Sequence, residues 1–169
     1  MPELHILCGK IASGKSTLAA RLSAKPDTVL ITEDAWLDAL FGEELQTRED
    51  YVSCSRRIKA AMKPHVMALL RAGVSVVLDF PANTHGQRRW FKVIIEATGV
   101  AHVLHLLDVP DKVCLARLRA RNNSGDHPFV VTDALFHEMT GYFTEPAVDE
   151  GFTILCHGNE AEIPEAPAP

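Results

Sequence analysis

The chain has 169 residues, about one domain, and its 47% hydrophobic and 23% charged residues are ordinary globular usage. A net charge of −5 argues against a general nucleic-acid coat, because binding along a phosphate backbone is mostly electrostatic. No apolar run approaches the ~20 residues of a membrane span and the N-terminus lacks a signal peptide's charged start, so a cytoplasmic, membrane-free protein is expected.

Leu4-His5-Ile6-Leu7-Cys8 reads as a short buried strand, and Leu18, Ala19 and Leu22 follow helical spacing beyond it. Between them, Gly9-Lys10-Ile11-Ala12-Ser13-Gly14-Lys15-Ser16-Thr17 fits G-x-x-x-x-G-K-[ST] at every fixed position. A strand feeding a Gly-rich loop that opens a helix aims several backbone N–H groups at one spot, where the helix dipole also favours negative charge. Gly9 and Gly14 permit the tight turn and the close approach of a phosphate. Lys15 is placed to reach β- and γ-phosphates, and the Ser16 hydroxyl to hold Mg²⁺. The expected ligand is a nucleoside triphosphate, taken as ATP with Mg²⁺.

Thr28-Val29-Leu30-Ile31 is a second β-branched run, ending in Thr32-Glu33-Asp34. In an extended segment Glu33 and Asp34 face opposite ways, so only one enters a cleft there, and Asp34 is also placed to N-cap the next helix. Trp36, Leu37, Leu40 and Phe41 follow helical spacing until Gly42. Thr47-Arg48-Glu49-Asp50 resembles a capping box opening a helical stretch to about residue 72, which Pro64 is expected to kink or split. Val74-Ser75-Val76-Val77-Leu78-Asp79 is the third strand, apolar as in a parallel sheet buried on both faces and ending in a carboxylate.

Thr84-His85-Gly86-Gln87 is a second capping box, ahead of a helix with Trp90, Phe91, Ile94 and Ile95 on one face. Arg88 and Arg89 there either touch substrate or form a solvated helix start, and Trp36 and Trp90 read as packing residues. The fourth strand covers residues 100–107, and Pro110 starts a helix through Leu115 and Leu118. On that helix Arg117 and Arg121 are i,i+4 neighbours able to converge on the same phosphate oxygens, while Arg119 points away. Residues 122–128 form a polar loop, residues 132–141 a short helix, and Phe152-Thr153-Ile154-Leu155 the fifth strand. The domain is expected to span residues 1–159, with a disordered Pro- and acid-rich tail over 160–169.

Cys8, Cys54, Cys114 and Cys156 show no paired spacing and read as reduced thiols. The eight histidines show no metal-ligand spacing, so no structural metal is expected, and His102 and His105 fall on opposite faces of their strand. Five strands alternating with helices predict parallel β-α units in a three-layer α/β domain, whose ligands bind beyond the carboxyl ends of the strands. Asp34, Asp79 and the glycine-rich loop all fall at such ends and converge on one cleft.

The loop, Ile31-Thr32-Glu33-Asp34-Ala35-Trp36, Asp79 with Asn83 and Arg88-Arg89-Trp90, and Arg117-Leu118-Arg119-Ala120-Arg121-Asn122 resemble the small P-loop kinases. That grouping includes phage polynucleotide kinase, zeta toxins and chloramphenicol phosphotransferase. Closer still is the resemblance to bacterial proteins described only as AAA-type ATP-binding proteins or predicted kinases. It covers the chain from Leu4 to about Leu155. The resemblance implies a sheet of order 2-3-1-4-5 and γ-phosphoryl transfer to a hydroxyl. It makes Asp34 the acceptor-activating carboxylate, puts Asp79 near the Mg²⁺, and makes Arg117 and Arg121 arginines of a lid over about residues 119–136.

These relatives often carry Arg before the catalytic Asp. Glu33 stands there instead, which counts against an anionic acceptor beside Asp34. The expectation is a kinase with a small-molecule hydroxyl acceptor, acting as a monomer or homodimer. The alternatives are a polynucleotide or nucleotide kinase, and a nucleotide-dependent binding protein with weak ATPase activity.

Overall fold

The computed structural model of the chain describes residues 1–124 and 130–158; the tail over 160–169 and part of the expected polar loop lie outside them. Five strands, β1 (Glu3–Gly9), β2 (Thr28–Thr32), β3 (Ser75–Asp79), β4 (Ala101–Leu107) and β5 (Ile154–His157), form one sheet. Its order is β2-β3-β1-β4-β5 and every neighbouring pair is parallel. The α-helices are α1 (Lys15–Ser23), α2 (Glu33–Phe41), α3 (Arg48–Arg71), α4 (His85–Thr98), α5 (Asp111–Ser124) and α6 (Asp133–Gly141).

Parallel neighbours need long crossovers, and helices fill them on both faces. Because side chains alternate along a strand, Leu4, Ile6 and Cys8 of β1 enter the layer of α3 and α4, and Leu7 enters the layer of α1, α5 and α6. All four are fully buried. α3 presents the stripe Cys54, Ile58, Met62, Val66 and Leu70 to its layer at helical spacing. Truncating one of these, Leu70→Ala for example, removes about 2–5 kcal/mol of stability.

The structure departs from expectation in four places. α3 is one unbroken helix of 24 residues despite Pro64. Pro64 and Ala60, whose carbonyl loses its i+4 donor, lie on the exposed face, where water replaces that donor and the buried stripe continues undisturbed. α5 continues through Asn122, Asn123 and Ser124, because Asn122 Nδ2 donates to the Val131 carbonyl at 2.7 Å and does not compete for its own backbone. β5 begins at Ile154, two residues late; Phe152 lies edge-on against His102 beneath the Lys92 ammonium. Thr47 and Asp50 form the full capping box, but at α4 the Gln87 side chain accepts from the Asn83 N–H in place of Thr84's. Cys8, Cys54 and Cys114 are buried thiols and Cys156 is exposed.

Candidate active site

β1 pairs with β3 only over Leu4, Ile6 and the residue between, yet stays paired with β4 as far as Gly9. The carboxyl ends of β1 and β3 therefore part, at the strand where β2 and β3 lie on one side and β4 and β5 on the other. Such a switch point is where open α/β sheets hold ligands, and the glycine-rich loop rises from it into α1.

The loop has the backbone its sequence requires. A Cβ on Gly9 would stand 2.6 Å from Ser13 Oγ and 3.1 Å from the Leu107 carbonyl, and Gly14 sits at φ 100°. Ala12 also takes a positive φ, 59°, which a side chain adopts at a cost. Lys15 Nζ donates to the Gly9 and Lys10 carbonyls, both at 2.7 Å, so the ammonium folds back over the loop. Burial pushes its pKa down, and Asp79, then more weakly Cys8, Cys114 and Asp34, pull it back up. Ser16 and Thr17 are exposed on the first turn of α1, and the fully buried Ser13 Oγ has no hydrogen-bond partner. Lys10 is turned away to Asp111 and the Val109 carbonyl, and Ile11 and Ala12 pack in the α1–α5 layer, so these three offer the loop mainly their backbone.

Arg117 and Arg121 share the face of α5 that borders the loop. Arg117 Nη1 lies 3.3 and 3.4 Å from the Ser13 and Ala12 carbonyls. Arg121 is half-buried; burial lowers its pKa, Asp34 opposes the shift, and its Nε has no partner. Arg119 points outward, Nε 3.1 Å from Asp133 Oδ2.

The Glu33–Asp34 reading is corrected. Both residues lie in the first turn of α2, and Thr32 holds the N-cap position. On a helix, unlike a strand, adjacent residues stand about 100° apart, and here the two carboxylates separate into different surroundings. Glu33 is 1% exposed and turned into α3, where Ser55 Oγ donates to Oε1 at 2.6 Å and Lys59 Nζ lies at 3.3 Å. Tyr51 lies close by: burial, then the Glu33 and Asp34 charges, push its phenol upward, while Glu33 Oε2 is buried without a hydrogen-bond partner. With its charge matched by Lys59 inside this network, Glu33 gives no ground for excluding an anionic acceptor. Half-buried Asp34 is close enough to bias Lys15 and Arg121 together. Tyr51, Ser55 and Lys59 were missed in the sequence, although their i,i+4 spacing beside an apolar stripe is the signal that finds them.

Arg88 is corrected too. It is 1% exposed and held within the fold: Nε and Nη2 form a two-pronged pair with Glu150 at 2.7 and 2.8 Å. Its Nη1 donates to the Ala82 and Thr144 carbonyls at 3.0 and 2.8 Å. Arg89 is exposed; Trp90 packs as expected, stacked on Phe80, while Trp36 is 39% exposed.

Asp79 ends β3 beside the loop, within electrostatic reach of Lys15. Its carboxylate and the Ser16 hydroxyl are hard oxygen donors of the kind Mg²⁺ accepts with substrate phosphates and water. The described residues hold no cluster of three or more His, Cys, Asp or Glu side chains placed to hold a metal. Two open concavities, about 400 Å³ on α3 around Val52 and about 530 Å³ around residues 38–44, include none of the loop residues. No described helix is long and apolar enough to cross a membrane.

A five-stranded parallel sheet of order 2-3-1-4-5, with a glycine-rich phosphate loop after its central strand and helices on both faces, is the fold of the small P-loop kinases. The chain belongs to the AAA domain family, whose model matches residues 4–146. No curated protein matches it. Among solved structures it is similar to a candidate kinase from Chloroflexus aurantiacus, at 19% identity and TM-score 0.73 over 93% of this chain and 88% of that one. A sugar kinase from Janibacter sp. is 18% identical, with TM-score 0.64 over 94% and 86%. The APS kinase of Mycobacterium tuberculosis, solved with AMPPNP and APS, is 17% identical, with TM-score 0.58 over 94% and 89%. At these identities the likeness concerns the fold.

Proposed function

We propose that this protein is an ATP- and Mg²⁺-dependent kinase that transfers the γ-phosphate to a hydroxyl of a small molecule. The observation that supports the reading is the geometry at the carboxyl end of the sheet: the glycine-rich loop rises from β1 into α1 with Lys15 folded over it, and Asp79 ends the neighbouring β3. Phosphoryl transfer is mainly positioning and neutralisation of developing charge, and these are the groups it needs.

In this reading the loop residues 9–17 cradle the phosphates with their N–H groups. Lys15 leaves the two carbonyls it now bonds for the β- and γ-phosphate oxygens. Ser16 and Asp79 would hold Mg²⁺, which when bound offsets phosphate charge. Arg117 and Arg121 close on the phosphates as the described parts of the expected lid, residues 119–124 and 130–136, fold down. The acceptor oxygen bonds to the γ-phosphorus as the bond to the β,γ-bridging oxygen breaks, and Asp34 takes the hydroxyl proton. The test is a metabolite-library screen for transfer from γ-labelled ATP. A stoichiometric phosphorylated acceptor is expected. ATP turnover with no phosphorylated acceptor in any pool would instead favour a nucleotide-dependent binding protein.

One observation favours a second reading, a nucleotide or polynucleotide kinase: Glu33 is buried and neutralised by Lys59, so it does not repel a phosphorylated acceptor. The net charge of −5 still weighs toward the small molecule. Oligonucleotides with free 5′-hydroxyl ends, added to the same assay, decide between the two.

A further inference from the structure

We infer that Asn83 is a positioning residue for the phosphate loop, closing the gap left where β1 and β3 part. Beyond Ile6, β1 has no further paired partner on β3, whose last residue is Asp79. A backbone N–H in that position is a donor that must find an acceptor. The Gly9 N–H finds one: it donates to Asn83 Oδ1 at 2.9 Å. A side chain thus takes the place of the missing strand pairing, at the first residue of the loop.

Asn83 itself is held at both backbone ends. Its N–H donates to Gln87 Oε1 at 2.8 Å, and its carbonyl accepts from the Thr144 N–H at 2.8 Å. The Thr144 carbonyl accepts from buried Arg88, which is pinned in turn by Glu150. The loop's first residue is thereby joined through one asparagine to the turn after β3 and to the segment leaving α6. That matters because Gly9 has little freedom of its own. It is wedged against Ser13 and Leu107, and its carbonyl is one of the two acceptors of Lys15. A shift of Gly9 therefore moves both the cradle and the lysine. Small displacements of positioning groups carry large losses in binding and rate.

The proposal rests on the loop being a nucleotide site, and its test separates the two claims. The full chain is compared with N83A, N83D and a core variant far from the loop, I94V. Amide hydrogen exchange at Gly9 is read without nucleotide, and Mg-ATP affinity by calorimetry. In N83A the Gly9 amide is expected to exchange at least about tenfold faster, and ATP to bind about tenfold more weakly, the scale of one lost hydrogen bond. N83D keeps an acceptor and should keep Gly9 protected. I94V should lower the melting temperature without changing ATP affinity. Equal Gly9 protection in N83A and the native chain overturns the clamp. So does an affinity loss in N83A no larger than that of I94V. Should the native chain bind no ATP, the nucleotide reading fails, while the exchange comparison still decides whether Asn83 holds Gly9.

Discussion

Lys15 and Asp34 are within electrostatic reach of each other but should answer substitution differently. Lys15→Ala removes the one ammonium folded over the loop, and calorimetric titration with Mg-ATP should show most of the binding gone. Unchanged affinity and turnover would sink the nucleotide assignment. For Asp34, Asn keeps the shape but removes the charge and the proton sink. Asp34→Asn should leave ATP affinity within a few-fold and slow transfer by about 10²–10⁴, the range for losing a general base. Thr32 holds the N-cap position, so Asp34 is not the cap of α2, and its place in the first turn adds a helix-dipole contribution of about 0.3–1 kcal/mol. A native transfer rate in the Asn variant would therefore remove Asp34 from the chemistry and leave Asp79 as the carboxylate to test. Glu33 does not inherit the role, since it is buried against α3, where Ser55 and Lys59 hold it.

Among the elements, α4 is fastened to the turn before β5 by the Arg88–Glu150 pair. Hydrogen bonding by Arg88 is the main cause that holds the Glu150 carboxyl down at about 2, well below its ordinary 4.5. The folded-state pKa is depressed, so this contribution is present above about pH 4.5 and is lost as pH falls toward 2. Removing one partner leaves a buried charge uncompensated, and Glu150→Ala should cost about 3–5 kcal/mol in denaturant unfolding at neutral pH. A loss below 1 kcal/mol would mean that the Ala82 and Thr144 carbonyls suffice for Arg88. The last turn of α5 and the start of α6, bridged by Asn122 and Val131, should close as a lid. Residues 117–124 and 130–136 should exchange amide hydrogens more slowly with a non-hydrolysable ATP analogue; equal rates in both states would count against closure.

Across the whole molecule, the sheet carries a row of imidazoles on its α1–α5 face. His5 Nδ1 lies 3.1 Å from His105 Nε2, and His105 Nδ1 lies 2.9 Å from His157 Nε2. At the other end, His5 Nε2 is 3.3 Å from the Glu3 carboxylate. With all three rings neutral, one assignment satisfies every contact: each Nε2–H donates, from His157 to His105 to His5 to Glu3. Burial first, then the neighbouring His5, His157 and Lys25, bring the His105 pKa down to about 4. The unfolded chain binds this proton near 6.5, so stability should fall as pH drops from about 6.5 to about 4, by up to about 1.4 kcal/mol per pH unit for one group. Equilibrium unfolding across that range checks it, and His105→Gln should flatten the slope; an unchanged slope would assign it to other groups.

The strands, the loop and the i,i+4 pair Arg117 and Arg121 were legible from the residues, because each depends on local rules, whereas the sheet order came from the resemblance to the small P-loop kinases. A buried parallel strand is apolar on both faces, a phosphate loop needs glycine where a Cβ would clash, and two arginines four apart share a helix face. Partner choice between distant elements is not local, and there the folded chain decided. Nothing in the spacing of Arg88 and Glu150, 62 residues apart, marks them as a buried pair rather than two solvated charges. Glu33 looked like a charge facing the acceptor until packing placed Lys59 and Ser55 around it. Pro64 looked like a break until its face of α3 proved to be the one that water covers. His5, His105 and His157 became one row only when three strands set their register. In each case a polar group's cost depends on what surrounds it, and those surroundings are assembled from segments that meet only after the chain has folded.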